Sequence, residues 1–262
     1  EALMQGICLD PSSASYTCSL TLHRDSGDEY PVDIRAYSCG NTVPADSVTL
    51  QGVRAVFREG AGNYGGEAVC TVEMQDGVIS AALLSGVYTV QLSAEGYLDS
   101  YTEIEVLEHA AAGDAYLMPA LGEGQTGILL TWEGGETDLD LTLFTPYRAE
   151  SGDMAHIGGA VAGDAHGNML VADNSSGYEM MLLETGTQGI YKVYVNDYTD
   201  SLAGKYDSDA LRRLNVHIYI YDSDGLAAAY TPPVGQNGVV WEVAEISGRN
   251  VTPSQRLYTN IS

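Results

Sequence analysis

Asp138 and Asp140, in the stretch TWEGGETDLDLTLFTP, are the sharpest chemistry in the chain. On a strand, residues two apart project to one face about 7 Å apart, which leaves Leu139, Leu141 and Leu143 on the other. Carboxylates so placed repel unless a cation or hydrogen-bond donors lie between them. Asp173, Asn174 and Glu179, in the later stretch VADNSSGYE, bring further oxygens. Hard oxygen ligands gathered at a strand end suit calcium. One reading is therefore a structural calcium held by Asp138, Asp140, Asp173, Asn174 and Glu179. The other is a solvated strand face whose aspartates cap turns. A second oxygen-rich turn is YDSDG, Tyr221 to Gly225, which lacks the continuing EF-hand pattern and reads as a hairpin turn with glycine at positive φ.

Other catalytic arrangements are thin. His156, His166, Asp153 and Asp164 could hold zinc and activate water, but their spacing matches no zinc motif and a Gly-rich surface loop is expected. His23, His109 and His217 stand alone. There is no G-x-S-x-G elbow, and Gly62 to Gly66 precedes no helix bearing a lysine, so neither a hydrolase nucleophile nor a phosphate loop is indicated. Paired carboxylates of the glycosidase kind need a cleft that small sandwiches seldom have. The chain is not expected to be an enzyme, with a metal-dependent hydrolase as the outside alternative. For binding, the tyrosines stand out: 18 beside 2 Phe and 2 Trp. Tyr191, Tyr194, Tyr219 and Tyr221, if they share an outward face, would form a platform for a sugar or a protein partner.

The elements that must position these groups are strands. Period-two alternation places Tyr88, Val90, Leu92 and Ala94 on one face of one strand. In Val216 to Tyr221 it puts Val216, Ile218 and Ile220 inward and His217, Tyr219 and Tyr221 outward. Similar stretches recur at 16–24, 31–37, 47–58, 67–74, 101–107, 127–132, 139–145, 168–173, 189–196 and 238–246, separated by Gly, Asp, Asn or Pro. Helix signals are weak. Glu108 to Ala112 is too short, and Asp207 to Leu214 could make two turns. The fold class is all-β, as two tandem β-sandwich domains of residues 1–122 and 123–262, joined through the Gly-rich stretch Pro119 to Gly127.

Cysteines occur only at Cys8, Cys18, Cys39 and Cys70, with no C-x-x-C pair. If GICLDPSSASYTCS is a hairpin, Cys8 faces Cys18 and Cys39 is left with Cys70. Equally, Cys18 and Cys70 lie on apolar faces as buried free thiols would.

The blocks GVRAVFREG, VEMQDG and SGVYTVQLSAEGYLDSY, in that order, resemble the carboxypeptidase regulatory-like, or prealbumin-like, β-sandwich over residues 45–120. The resemblance implies turns at Gly86 and Gly96, with Tyr88 and Tyr97 packing the sandwich. The second half resembles the YfaP-like extracellular bacterial domain, through TWEGGETDLDLTLFTP, VADNSSGYE, GIYKVYVNDY and VHIYIYDSDG, with Thr142 where a histidine is common. That resemblance implies architecture and a secreted setting, with no activity.

Charge narrows the partners. Asp and Glu number 36 against 11 Lys and Arg, a net charge of -25 carried by both halves. Such a surface repels nucleic acid and anionic lipid, and no apolar run approaches the roughly 20 residues of a membrane span. The chain has no signal peptide and starts at Glu1, as a mature or truncated secreted protein would. The expectation is a non-catalytic binding or adhesion module, secreted or on a bacterial cell surface, with a protein or glycan ligand. The alternative is a carbohydrate-binding accessory module using the tyrosines.

Overall fold

The computed structural model describes residues 27–40, 50–148, 152, 154–185 and 189–259. Cys8, Cys18 and the strand expected at 16–24 lie outside them. The first half holds β1 (Tyr30–Ser38), β2 (Arg54–Glu59), β3 (Cys70–Glu73), β4 (Ile79–Leu83), β5 (Gly86–Ser93), β6 (Ser100–Val106) and β7 (Ala111–Leu117). They form a three-stranded sheet ordered β4-β1-β7 and a four-stranded sheet ordered β3-β2-β5-β6. β1 and β7 run parallel, and the other pairs are antiparallel. Alternation explains the filling between them. Val32, Ile34 and Ala36 from β1 meet Ala55, Phe57, Tyr88, Val90 and Leu92 from the facing sheet.

The second half continues with β8 (Gln125–Thr131), β9 (Leu139–Arg148), β10 (Met154–Ile157), β11 (Met169–Ala172), β12 (Tyr178–Glu184) and β13 (Tyr191–Asp197). Two short helices follow, α1 (Tyr198–Leu202) and α2 (Ala210–Arg213), then β14 (His217–Asp222), β15 (Gly225–Tyr230), β16 (Val240–Ser247) and β17 (Asn250–Tyr258). The strands make two five-stranded antiparallel sheets, ordered β10-β9-β13-β16-β17 and β11-β12-β8-β14-β15. Leu139, Leu141, Leu143, Val193, Val195 and Trp241 face Ile128, Leu130, Met181, Leu183, Ile218 and Ile220 across the core. The chain is all-β, built of β-sandwiches. The helix expected over Asp207 to Leu214 shrinks to the single turn of α2, and Glu108 to Ala112 leads into β7.

A third apolar cluster joins the halves. Cys39 and Met118, with Tyr64, Leu98, Tyr101, Tyr116 and Leu121 packed beside them, cover Leu129, Tyr178, Met180, Tyr219 and Tyr221. The Pro119 to Gly127 stretch is tucked against this junction. Ala120 N–H donates to Gly96 O, and a Cβ added at Gly127 would lie 2.6 Å from the Met118 sulfur. Cys39 and Cys70 are both free thiols, which overturns the pairing expected between them. Cys39 is buried in the junction cluster, whereas Cys70 packs on the first-half core, so the strands carry the two sulfurs to different places.

Candidate cation site and the tyrosine faces

Asp140, Asp173 and Glu179 place one carboxylate oxygen each within 4.8 Å of one another. No other group of three or more His, Cys, Asp or Glu ligands comes together in this way among the described residues. Strand geometry builds the site. β10 pairs with β9 only from Leu143 onward, which leaves the Leu141 N–H at an open sheet edge. Glu179, at the start of β12 in the opposite sheet, reaches across that gap and accepts from Leu141 N through Oε2 at 2.6 Å. Its other oxygen, Oε1, is buried with no hydrogen-bond partner. Glu179 is 1% exposed, so this oxygen has no recourse to solvent.

Asp140 projects from β9 and is half-buried, while Asp173, just past β11, is exposed and leaves the group open to solvent on one side. Asp138 precedes β9, which begins at Leu139, so it sits beside the strand and not on it. Its backbone N–H donates to Thr199 Oγ1 at 2.8 Å, and its carbonyl accepts from Tyr198 N. Asn174 is buried, and its Nδ2 donates to Tyr178 O at 2.8 Å, closing the turn that carries Asp173 to Glu179.

The electrostatics is one-sided. Burial pushes the Glu179 carboxyl up to about 10; the Leu141 N–H opposes this shift, and the charges of Asp140 and Asp173 add to it. Asp140 is raised to about 6, by burial first and then by Asp138 and Asp173. Asp138 is raised by burial and by Asp173. Among the described residues no Lys, Arg or His pairs with any of the four. A carboxylate with a buried, unpartnered oxygen gathered among further carboxylates fits a hard divalent cation, and a donor set of oxygen alone suits calcium better than zinc.

The other sequence-derived candidates scatter. At Tyr221 to Gly225 the chain makes the β14–β15 hairpin, with Gly225 at φ 128°. Arg249 binds both Asp222, at 3.0 Å, and Asp224. Burial works against the charge of Asp222, and Arg249 with the backbone N–H groups of Asp224 and Gly225 more than offsets it, so its pKa is lowered. His156 tilts against Phe144 and His166 stacks on Tyr147, with ring centroids 5.8 Å and 3.5 Å apart. The Asp164 carboxylate is taken up by His166 N, Asn168 N and Asn168 Nδ2. Asp153 lies outside the described residues.

The tyrosine platform does not form. Tyr191 is fully buried in the second-half core beside Val193 and Val195. Tyr219 and Tyr221 are buried as well. Alternation did separate them from Ile218 and Ile220, but their face of the sheet is covered by the first half instead of by water. Tyr194 alone of the four is half-buried, standing edge-on to Phe144 at 5.4 Å. Sequence reasoning also missed His217, which the same covering buries to 5% exposure.

No protein-family profile and no curated protein matches the chain. Among solved structures it is similar to a protein of unknown function, SAV2460, with a TM-score of 0.43 and 17% identity, covering 54% of this chain and 93% of that one. It is also similar to a DUF3823 family protein from Parabacteroides merdae, with a TM-score of 0.27 and 11% identity over 64% of this chain and 90% of that one. A third likeness is to the major pilin SpaA of Corynebacterium diphtheriae, with a TM-score of 0.28 and 10% identity over 85% and 87%. Likenesses of this size carry no argument about function. Among the described residues no helix is long and apolar enough to cross a membrane.

Proposed function

We propose that the chain is a non-catalytic, calcium-stabilised binding or adhesion module displayed outside a bacterial cell, with a protein or glycan as its ligand. In this reading residues 1–122 form a unit of the carboxypeptidase regulatory-like kind and residues 123–262 a YfaP-like unit, as the sequence resemblances imply. The observation that carries the calcium reading is that Glu179, with its Oε1 buried and unpartnered, brings a carboxylate oxygen within 4.8 Å of those of Asp140 and Asp173. An isolated buried charge is costly, and the described residues supply no counter-charge, so a bound divalent cation would neutralise the group. Asp140, Asp173 and Glu179 would hold the ion, and Asp138 would add charge from the side. The ion would tie the β9 edge to the β11–β12 turn and thereby close the end of the sandwich. A net charge of -25 also draws cations to the surface. Calorimetric titration of the full chain with calcium tests this. A single saturable site that disappears in Glu179→Gln is expected, and no heat of binding to the parent chain would overturn the reading.

A further inference from the structure

The two halves enclose an open cavity of about 490 Å³ at their junction, walled by β1, β6 and β7 on one side and by the Trp132 to Gly135 loop and the Ser176 to Tyr178 turn on the other. One wall is aromatic. Tyr37 stacks on Tyr116 with ring centroids 6.0 Å apart, and Tyr116 lies 4.2 Å from Tyr178. Gly177, at φ 87°, lets the turn come this close, because a Cβ there would stand 2.8 Å from the Tyr116 hydroxyl.

The cavity also carries Glu103 from β6, Asp114 from β7 and Glu133 from the loop after β8, and among the described residues its lining holds no lysine or arginine. Two of its neutral polar groups, Asn215 and His217, are already committed. Asn215 Nδ2 donates to Glu133 Oε1 at 3.0 Å, and Asn215 Oδ1 stands 3.0 Å from His217 Nε2. An amide oxygen only accepts, so Nε2 carries the ring proton. Glu103 accepts from Gly62 N through Oε1 at 2.6 Å. Its Oε2 is 3.9 Å from His217, which burial holds neutral near pH 7, with a pKa lowered to about 4. Asp114 has Arg35 opposite it in the β1–β7 register, outside the lining. Among the described residues Glu103 and Glu133 have no cation of the protein's own.

We propose that this junction cavity binds a small organic ammonium ion, its nitrogen against Glu103, Asp114 and Glu133 and its carbon skeleton across Tyr37 and Tyr116. Carboxylates supply the charge, and tyrosine faces attract an alkylammonium through the ring quadrupole. An anion is repelled here. A neutral sugar would bring no counter-charge to Glu103 and Glu133. Because the ligand would touch both halves, it would also fix their relative position. The inference goes beyond the calcium reading and does not depend on it.

The test uses the full chain in saturating calcium, with choline and 1,5-diaminopentane as probes. Their neutral counterparts, 3,3-dimethylbutan-1-ol and 1,5-pentanediol, and glucose serve as controls. Binding is followed by NMR line broadening or calorimetry, and the calcium response of the same samples is recorded separately. At least one cation should bind about tenfold more tightly than its neutral counterpart and weaken as salt is raised. Glu133→Gln, at an exposed position where the fold is not at stake, and Tyr37→Leu should each weaken it several-fold while the melting temperature stays put. The proposal is overturned if neither cation binds, if a neutral counterpart or glucose binds as well, or if both variants bind like the parent.

Discussion

The chain carries two D-x-D sequences at strand ends, and the fold treats them in opposite ways. Asp222 and Asp224 close a hairpin, and Arg249 neutralises both. Asp138 and Asp140 stand beside Asp173 and Glu179 with no basic partner among the described residues, and burial raises Asp138, Asp140 and Glu179 alike. The same motif is thus a self-sufficient turn in one place and an electrostatic debt in the other. What separates them is the partner that the tertiary fold delivers: an arginine from the β16–β17 turn, or a buried glutamate from the opposite sheet.

The largest expected effect tests what holds the self-sufficient turn. If it rests on strand burial more than on its ion pair, Tyr221→Ala should cost about 3–5 kcal/mol, the usual range for truncating a buried aromatic side chain. Denaturant unfolding of the full chain reads this directly. A cost within about 0.5 kcal/mol, as surface positions show, would mean that Tyr221 faces solvent.

On the other side of the comparison, Glu179→Gln should abolish the calcium-linked gain in stability. Calcium at about 100 times its dissociation constant would give the parent about 2.7 kcal/mol, or roughly 5 to 10 °C. In chelator the variant should be at least as stable as the parent near pH 7, because Glu179 must take up a proton to fold there and Gln need not, and Gln keeps an oxygen for Leu141 N. Retention of the parent's full calcium response in the variant would break the contrast between the two motifs.

The sign of the pH dependence sharpens it further. In chelator Asp140 and Glu179 titrate above their ordinary range, at about 6 and about 10. Groups raised in the folded state lend stability at acid pH and lose it as pH rises through those values. His217 works the other way, because its folded value is lowered to about 4. Its penalty develops as pH falls from 6.5 to about 4 and is absent above 6.5. Melting temperature in chelator should therefore fall between pH 6.5 and about 8, and saturating calcium should remove that fall. A chelated chain that gains stability over this window would contradict the raised carboxylates.

Smallest is Arg249→Ala. The arginine side chain is 63% exposed, so its pairs are screened by water and should contribute little to stability. The variant should acquire no calcium response, since Asp224 is exposed and can be hydrated. A new response as large as the parent's would show that loss of an arginine is enough to make such a site.

Much of the architecture was legible because sandwich strands advertise one buried face. β1, β9 and β13 alternate in sequence and in burial, and β5 does so apart from the buried Thr89. β12, YEMMLLE, shows no alternation and was missed for a physical reason. Met181 and Leu183 face the sandwich core, while Tyr178 and Met180 face the first half, so both sides are apolar. The same covering hid the fate of Tyr219 and Tyr221. Period two says which residues share a face, and nothing in it says what lies against that face. At the cation site the sequence supplied the residue types and the strand-end placement. It could not supply the open edge at Leu141, which depends on where β10 stops pairing.

The most direct measurement is the melting temperature of the full chain in EDTA and in saturating calcium, for the parent and for Asp140→Asn. The account predicts a rise of about 5 to 10 °C in the parent that EDTA reverses and that Asp140→Asn largely loses, with Leu139 and Leu141 still packed in the core. A parent whose melting temperature stays within about a degree on adding calcium would contradict it, and would leave Asp138, Asp140 and Asp173 as a solvated acidic edge above a protonated Glu179.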